Sequence, residues 1–179
     1  MKKKNKFFFF GFGQSAKYFV KELIDSKITF SFSTTNTKKT QILYFKKKKF
    51  KSYKFKNNDY DKKLVKDLIL SDFILVSIPP QNNKDIVINR FKKDLISAKF
   101  KKLIYLSATS VYGNHKGNWV NEFSKLKGKT LFGVRRKIAE AKWIQFGIKT
   151  NKDINILRVS GIYSKENNVL KKILNKSIY

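Results

Sequence analysis

The chain begins with an unbroken apolar run, Phe7–Phe10, set against Gly-Phe-Gly. Four consecutive aromatics with no polar alternation suit a strand buried on both faces. From Ser15 to Ser26 the rhythm changes, and Phe19, Val20, Leu23 and Ile24 recur at helical spacing. Ile28–Phe32 reads as a strand. Lys46–Lys56 (KKKKFKSYKFK) is ambiguous; its alternation of Lys with Phe50, Tyr53 and Phe55 is compatible with a solvent-edge strand. Tyr60–Leu70 reads as a helix with Leu64, Val65, Leu68 and Ile69 on one side. Phe73–Ile78 is a second buried strand, stopped by Pro79-Pro80.

Further along, Asp85–Ile96 is helical and Leu103–Ser107 is another buried strand. Thr130–Phe146 is a helix with Val134, Ile138, Ala141 and Gln145 along one stripe and Ala139, Trp143 and Phe146 beside it, and INILRVSGIY supplies a last strand. Strands alternating with helices predict an α/β fold, a three-layer Rossmann-like doubly wound parallel sheet. No internal repeat or interdomain linker is visible, so residues 1–179 are expected to form one domain. Ligands of such sheets bind beyond the carboxyl ends of the strands. The loops that matter are those after Phe10, Phe32, Ile78, Ser107 and Val159.

Composition narrows the chemistry. There is no cysteine and only one histidine, His115, which argues against disulfides, thiolate or histidine metal sites and a Ser-His pair. The formal charge is +29, with 41 Lys+Arg against 12 Asp+Glu. Nearly all the excess is Lys; the arginines are Arg90, Arg135, Arg136 and Arg158. This lysine-rich bias accompanies heavy use of Asn, Phe and Ile. It predicts salt-sensitive, nonspecific attraction to polyanions rather than specific nucleic-acid reading, which favours Arg. MKKKNKFFFFGFG has the outline of a secretion signal, but Gln14 and Lys17 interrupt its short apolar part and no A-x-A site follows. No uncharged run approaches the ~18 residues of a membrane span. The expectation is a soluble, cytoplasmic protein without a membrane partner.

Gly11-Phe12-Gly13-Gln14-Ser15-Ala16 fits G-x-G-x-x-G/A between a strand and a helix. Gly11 permits the tight turn, Gly13 lets a pyrophosphate reach the backbone, and Ala16 lets helix and strand pack closely. The helix N-terminus offers free N–H groups to the anion. The next strand would end in Asp or Glu if a ribose 2′-hydroxyl were read. Instead it ends in Ser33, Thr34 and Thr35, with Lys38 and Lys39 following. Hydroxyls and cations without an acid favour a 2′-phosphate, so NADP is expected over NAD.

The glycine turn, LVSIPP, YLSATSVYG, FGVRRKIAEAKW and ILRVSGIY occur in an order that resembles the extended and atypical short-chain dehydrogenase/reductases, the NAD-dependent epimerase/dehydratase family. The resemblance implies a dinucleotide cofactor contacted also by Ser77, Ile78, Pro79 and Ser107. It implies a catalytic Ser or Thr after the fifth strand, a Tyr acid/base, and a Lys one helical turn beyond. The family's Y-G-x-x-K-x-x-x-E pattern falls on Phe132-Gly133-Val134-Arg135-Arg136-Lys137-Ile138-Ala139-Glu140. Phe132 therefore stands in place of the Tyr, Arg136 in place of the Lys, and Ala108 in place of the hydroxyl. Arg136 retains the charge to hold a ribose. The remaining nearby hydroxyls are Ser107, Thr109 and Tyr112, and Tyr112 is the candidate stand-in.

Family members extend well past the last-strand motif, so most of the C-terminal substrate region is expected to be missing. Three readings stay open: an NADP-preferring domain with weak or lost reductase or epimerase chemistry on an unknown small molecule, a noncatalytic scaffold or relic, and an RNA-associated protein using KKKKFKSYKFK as a basic aromatic patch. The sequence leaves the oligomeric state open.

Overall fold

The structure, a computed structural model, describes residues 4–164 together with Asn168 and Ile173. The one-domain expectation for 1–179 extends into residues 165–179, most of which lie outside that range. The elements run β1 (Asn5–Phe10), α1 (Gln14–Asp25), β2 (Phe30–Asn36), β3 (Gln41–Phe45), β4 (Lys48–Lys56), β5 (Asp59–Tyr60), α2 (Lys63–Ile69), β6 (Phe73–Val76), α3 (Ile86–Ser97), β7 (Lys102–Ala108), a 3₁₀ turn (Thr109–Val111), α4 (Leu131–Thr150) and β8 (Ile154–Val159). Strand order in the sheet is β3-β4-β2-β1-β6-β7-β8, with β5 paired to β4. The pairs from β4 through β8 are parallel; β3 and β5 each pair antiparallel with β4. This is the predicted doubly wound α/β sheet.

The Phe run explains why β1 sits at the centre. Successive strand side chains point to opposite faces. Phe8 and Phe10 enter one core with Tyr53, Phe55, α2, α3 and the Trp143 face of α4. Phe7 and Phe9 enter the other with Phe30, Phe32, Phe50 and the Ala16, Val20 and Leu23 stripe of α1. Helices thus cover the sheet from both sides. No helix among the described residues is long and apolar enough to cross a membrane.

Three sequence expectations change. Residues between β2 and the parallel β4, to which the sequence assigns no element, form the outer strand of a β-hairpin. The chain passes outward, descends as β3, and returns through a two-residue turn in which Lys46 and Lys47 both have positive φ (46° and 64°). Consequently Lys46–Lys56 contributes an interior strand, not the sheet edge: β4 lies between β3 and β2, and Phe50, Tyr53 and Phe55 are buried. Buried rings cannot stack on bases, so these three aromatics are not offered to RNA. The helix expected over Tyr60–Leu70 begins only at Lys63, because Asp59 and Tyr60 pair back onto β4. On α4 Ala139, Trp143 and Phe146 are buried as expected, together with Glu140 and Gly147, whereas Ile138, Ala141 and Gln145 of the adjoining stripe are exposed. The tightly packed Gly147 and the paired Glu140 complete the buried face, and neither scores as hydrophobic.

Asp85 joins the two helices nearest the site. Its Oδ1 accepts from the Val87 and Ile88 N–H groups, capping α3, and its Oδ2 accepts from Trp143 Nε1 of α4 at 3.0 Å. Burial pushes its carboxyl above the usual carboxylate range, against those three hydrogen bonds. A raised folded-state pKa means that the folded protein binds the proton more readily, so Asp85's contribution to stability falls as pH rises through the window above its ordinary value. Trp143→Phe leaves Oδ2 buried without its donor. The expected loss is about 1–3 kcal/mol near neutral pH. Because protonation relieves the orphaned oxygen, the gap from the parent should narrow at acidic pH. Urea denaturation at the two pH values measures this; a gap that widens on acidification refutes it.

Candidate functional site

β1 ends where the strand order reverses, with β2 on one side and β6 on the other, and a crevice opens at such a point. Three hydrogen bonds shape it. The Gly11 N–H donates to Thr35 Oγ1 of β2 at 2.9 Å. The Ser77 N–H donates to Phe10 O at 3.0 Å, and Ser77 Oγ donates to the same oxygen at 2.9 Å. Gly11 takes φ +87°, and a Cβ there would lie 2.8 Å from Ser77 Oγ. Glycine is therefore required by both conformation and space.

Gly13 is different. Its backbone is extended, it caps α1 without a side-chain hydrogen bond, and a Cβ built on it meets nothing within 4 Å. The open space faces the first turn of α1, where the N–H groups lack intrahelical partners. Ala16 is fully buried beneath the turn.

Two hollows meet at Gly13. The larger, ≈ 760 Å³, runs beside β2 and is walled by Phe12, Phe45 and Phe50, with Thr34, Thr35 and Asn36 at the strand end. Thr34 Oγ1 is buried there without a hydrogen-bond partner. Lys17 and Lys56 are the cations that line it, and no Asp or Glu does. The smaller, ≈ 360 Å³, lies over the ends of β6, β7 and β8 and includes Gln14, Ser15, Ser77, Ser107, Ala108 and Arg136. Ser107 Oγ and Gln14 Nε2 are buried there without partners. Arg136 Nη1 donates to Leu106 O at 2.8 Å, which pins its guanidinium across the end of β7.

The sequence-selected residues divide accordingly. Gly11, Gly13, Gln14, Ser15, Ala16, Thr34, Thr35, Ser77, Ile78, Ser107 and Arg136 line one hollow or the other. Pro79 lines an adjoining recess with Phe132. Ser33 does not take part: it lies on the α2 side two residues short of Thr35, and its hydroxyl donates to Asp67 at 2.6 Å. Lys38 and Lys39 do not take part either. Their N–H groups donate to Asn36 Oδ1, which fixes the loop past the cleft, and neither lines the hollow. Lys17, one helical turn past Gly13, and Lys56, at the end of β4, occupy the place expected of them. The Lys17 spacing is visible in the sequence; Lys56 is legible only once β4 is known to lie beside β2.

Among the catalytic positions, Phe132 is 72% exposed and Ala108 faces the smaller hollow without a hydroxyl. Gly133 packs against the 3₁₀ turn, where a Cβ would lie 2.5 Å from Ser110 O. Glu140 is buried and takes Arg158 in a forked pair, with Nη2 donating at 2.9 Å and Nε at 3.2 Å. Tyr112 is no stand-in for the acid/base. It is buried, its hydroxyl accepts from Arg158 Nη1 at 3.1 Å, and it lines neither hollow. Thr109 lies outside both as well. Of these three hydroxyl residues, Ser107 is the one that lines the smaller hollow. Among the described residues no group of His, Cys, Asp or Glu could hold a metal ion.

No family model matches the chain, and no curated protein is similar to it. Solved structures are. A functionally unknown conserved protein from Silicibacter pomeroyi superposes with a TM-score of 0.75 at 21% identity, over 95% of this chain and 57% of that one. The UDP-glucuronic acid 4-epimerase from Bacillus cereus in complex with NAD gives 0.75 at 17%, over 96% and 63%. The UDP-N-acetylglucosamine 4-epimerase from Methanobrevibacter ruminantium in complex with UDP-N-acetylmuramic acid gives 0.72 at 20%, over 98% and 64%. At these identities the likeness establishes the fold alone, a Rossmann-like doubly wound sheet. The chain spans less than two thirds of the length of each of these three.

The two glycines make a paired test. Gly11→Ala combines a left-handed backbone with a close contact and should cost about 2–4 kcal/mol. Gly13→Val meets open space and should cost only ~1 kcal/mol, the effect of a poorer helix cap. Thermal or chemical denaturation of both variants measures the difference; equal losses would refute the distinction.

Proposed function

We propose that the chain binds a nicotinamide dinucleotide across the glycine turn, NADP(H) in preference to NAD(H), and that its acid–base chemistry is weak or lost. The observation that carries this reading is the open face of Gly13 at the junction of two hollows, in a fold shared with an NAD-containing epimerase. A pyrophosphate over Gly13 would meet the free N–H groups of α1, with the adenosine half against Phe12, Thr34 and Thr35. The nicotinamide half would lie against Ser107 and Arg136. NADP rather than NAD is favoured because no carboxylate lines the adenosine end to accept from a ribose 2′-hydroxyl, while Lys17 and Lys56 stand there as cations.

A bound nicotinamide would supply hydride transfer. The chain's part would be to orient it and to move a proton. Arg136, held by Leu106 O, suits the first task. For the second, the phenyl ring of Phe132 has no proton to give and Ala108 has no oxygen. Ser107, though buried and unpartnered, has no base beside it. Positioned acid–base groups contribute about 10²–10⁴-fold in rate, so their loss leaves a binder with little turnover. The same geometry serves a noncatalytic dinucleotide-binding scaffold. Cytoplasmic location belongs to this reading.

Fluorescence titration should give tighter binding of NADPH than of NADH; equal affinities, or a preference for NADH, would sink the cofactor assignment. Gly13→Val should weaken NADPH binding at least ~10-fold, a loss of about 1.4 kcal/mol or more, while the variant remains folded. NADPH oxidation by the unmodified chain, followed by absorbance across carbonyl and sugar-nucleotide panels, should stay at background. Robust turnover on any panel member would refute the loss of catalysis.

A further inference from the structure

Beside the smaller hollow lies a recess of ≈ 330 Å³ between the loop that follows β6 and the first turns of α4. One wall is Pro79–Asn82. The other carries Phe132, Arg135 and Arg136. Its chemistry is one-sided: two guanidinium groups and the side-chain amides of Gln81 and Asn82 line it, and no carboxylate does.

The arginines are the informative part. A chain with 41 Lys+Arg uses Arg at four positions. Three of the four have defined partners. Arg90 donates to the Tyr60 hydroxyl and stacks on that ring. Arg158 forks onto Glu140, and Arg136 donates to Leu106 O. Arg135 has none among the described residues, and its Nε is buried without a partner. A buried guanidinium donor left unsatisfied is costly, and Arg differs from Lys in presenting a planar fork that matches an oxyanion.

The facing wall is preformed. Pro79 and Pro80 fix their φ angles. The next four residues close a turn by two hydrogen bonds, Gln81 N–H to Lys84 O at 2.9 Å and Lys84 N–H to Gln81 O at 2.8 Å, with Asn82 and Asn83 at positive φ. A rigid loop opposite a fork loses little freedom on binding.

We propose that this recess is an oxyanion site, holding the carboxylate or phosphate monoester of a small organic acid. Arg135 is its principal donor, Arg136 lies at the border with the neighbouring hollow, and the exposed Phe132 ring offers an apolar face to the rest of the ligand. The acid is a second ligand that adjoins the dinucleotide of the function proposed above at Arg136, and its binding at Arg135 does not require that dinucleotide.

Proton–nitrogen correlation spectra of the arginine Nε groups test this, with resonances assigned through Arg135→Lys, Arg136→Lys and Arg90→Lys. Inorganic phosphate and, separately, acetate are titrated into the full chain at constant ionic strength. The Arg135 resonance should shift saturably with at least one of the two anions, Arg136 should follow, and Arg90 and Arg158 should stay. A response to phosphate alone assigns the phosphate monoester, and a response to acetate alone the carboxylate. Arg135→Lys keeps the charge but loses the fork, and should weaken the midpoint read at Arg136 about tenfold. Uniform unsaturated drift of all four resonances, an unmoved Arg135, or an Arg135→Lys midpoint equal to the parent's would overturn the proposal. Repeating the titration with NADPH at the concentration that saturates its fluorescence signal separates the sources. A persistent shift supports a second ligand; a shift abolished by NADPH would mean that the recess belongs to the dinucleotide. Failure of NADPH to bind would defeat the proposed function and leave the phosphate result standing.

Discussion

The carbonyl of Phe10 accepts two hydrogen bonds, one from the Ser77 N–H and one from Ser77 Oγ, across 67 residues of chain. A strand buried on both faces must satisfy its last polar groups before it can turn, and here β6 does so for β1. Thr35 does the same for the Gly11 N–H from β2. The glycine turn is therefore clamped from both sides at the place where the sheet changes direction. The direction of α1, the open face of Gly13 and the two hollows all follow from that clamp.

Much of this was legible in the residues. The Phe run, the glycine spacing and the two buried strands expected at Phe73–Ile78 and Leu103–Ser107, observed as Phe73–Val76 and Lys102–Ala108, follow from period and punctuation, and α4 begins just after its Thr130 cap. The β3–β4 hairpin was not legible. Its turn places two lysines at positive φ, where Asn and Gly are the usual signals, and β4 hides three buried aromatics among exposed-looking lysines. The lysine bias erased the polar–apolar contrast on which strand assignment depends. On α4 the apolar Ala139, Trp143 and Phe146 mark the buried side, but Glu140 beside them is legible as buried only once Arg158 is seen to pair with it.

At the site, residue types were easier to read than directions. Ser33, Thr34 and Thr35 look equivalent in sequence. Ser33 is spent on Asp67 short of the strand end, while Thr34 and Thr35, nearer that end and on opposite faces, reach the cleft. Tyr112 looks like a spare acid/base until Arg158 is seen to claim its hydroxyl and ring. Both pairings join residues distant in the chain, and nothing local announces them. The motif register, in contrast, has a packing cause that holds whether or not chemistry survives. Gly133 admits the backbone at Ser110, and Glu140 anchors β8 through Arg158.

The β3–β4 hairpin also bears on how the molecule assembles. Each strand of that hairpin finds its partner across a two-residue turn, so closing it costs little chain entropy. β1 and β6, by contrast, must meet across more than a third of the chain. The wall that carries Phe45, Phe50 and Lys56 thus belongs to the locally encoded part of the sheet, and the wall beyond Ser77 to the part that depends on long-range search. One cleft is bounded by a hairpin of short sequence separation on one side and by contacts of long sequence separation on the other.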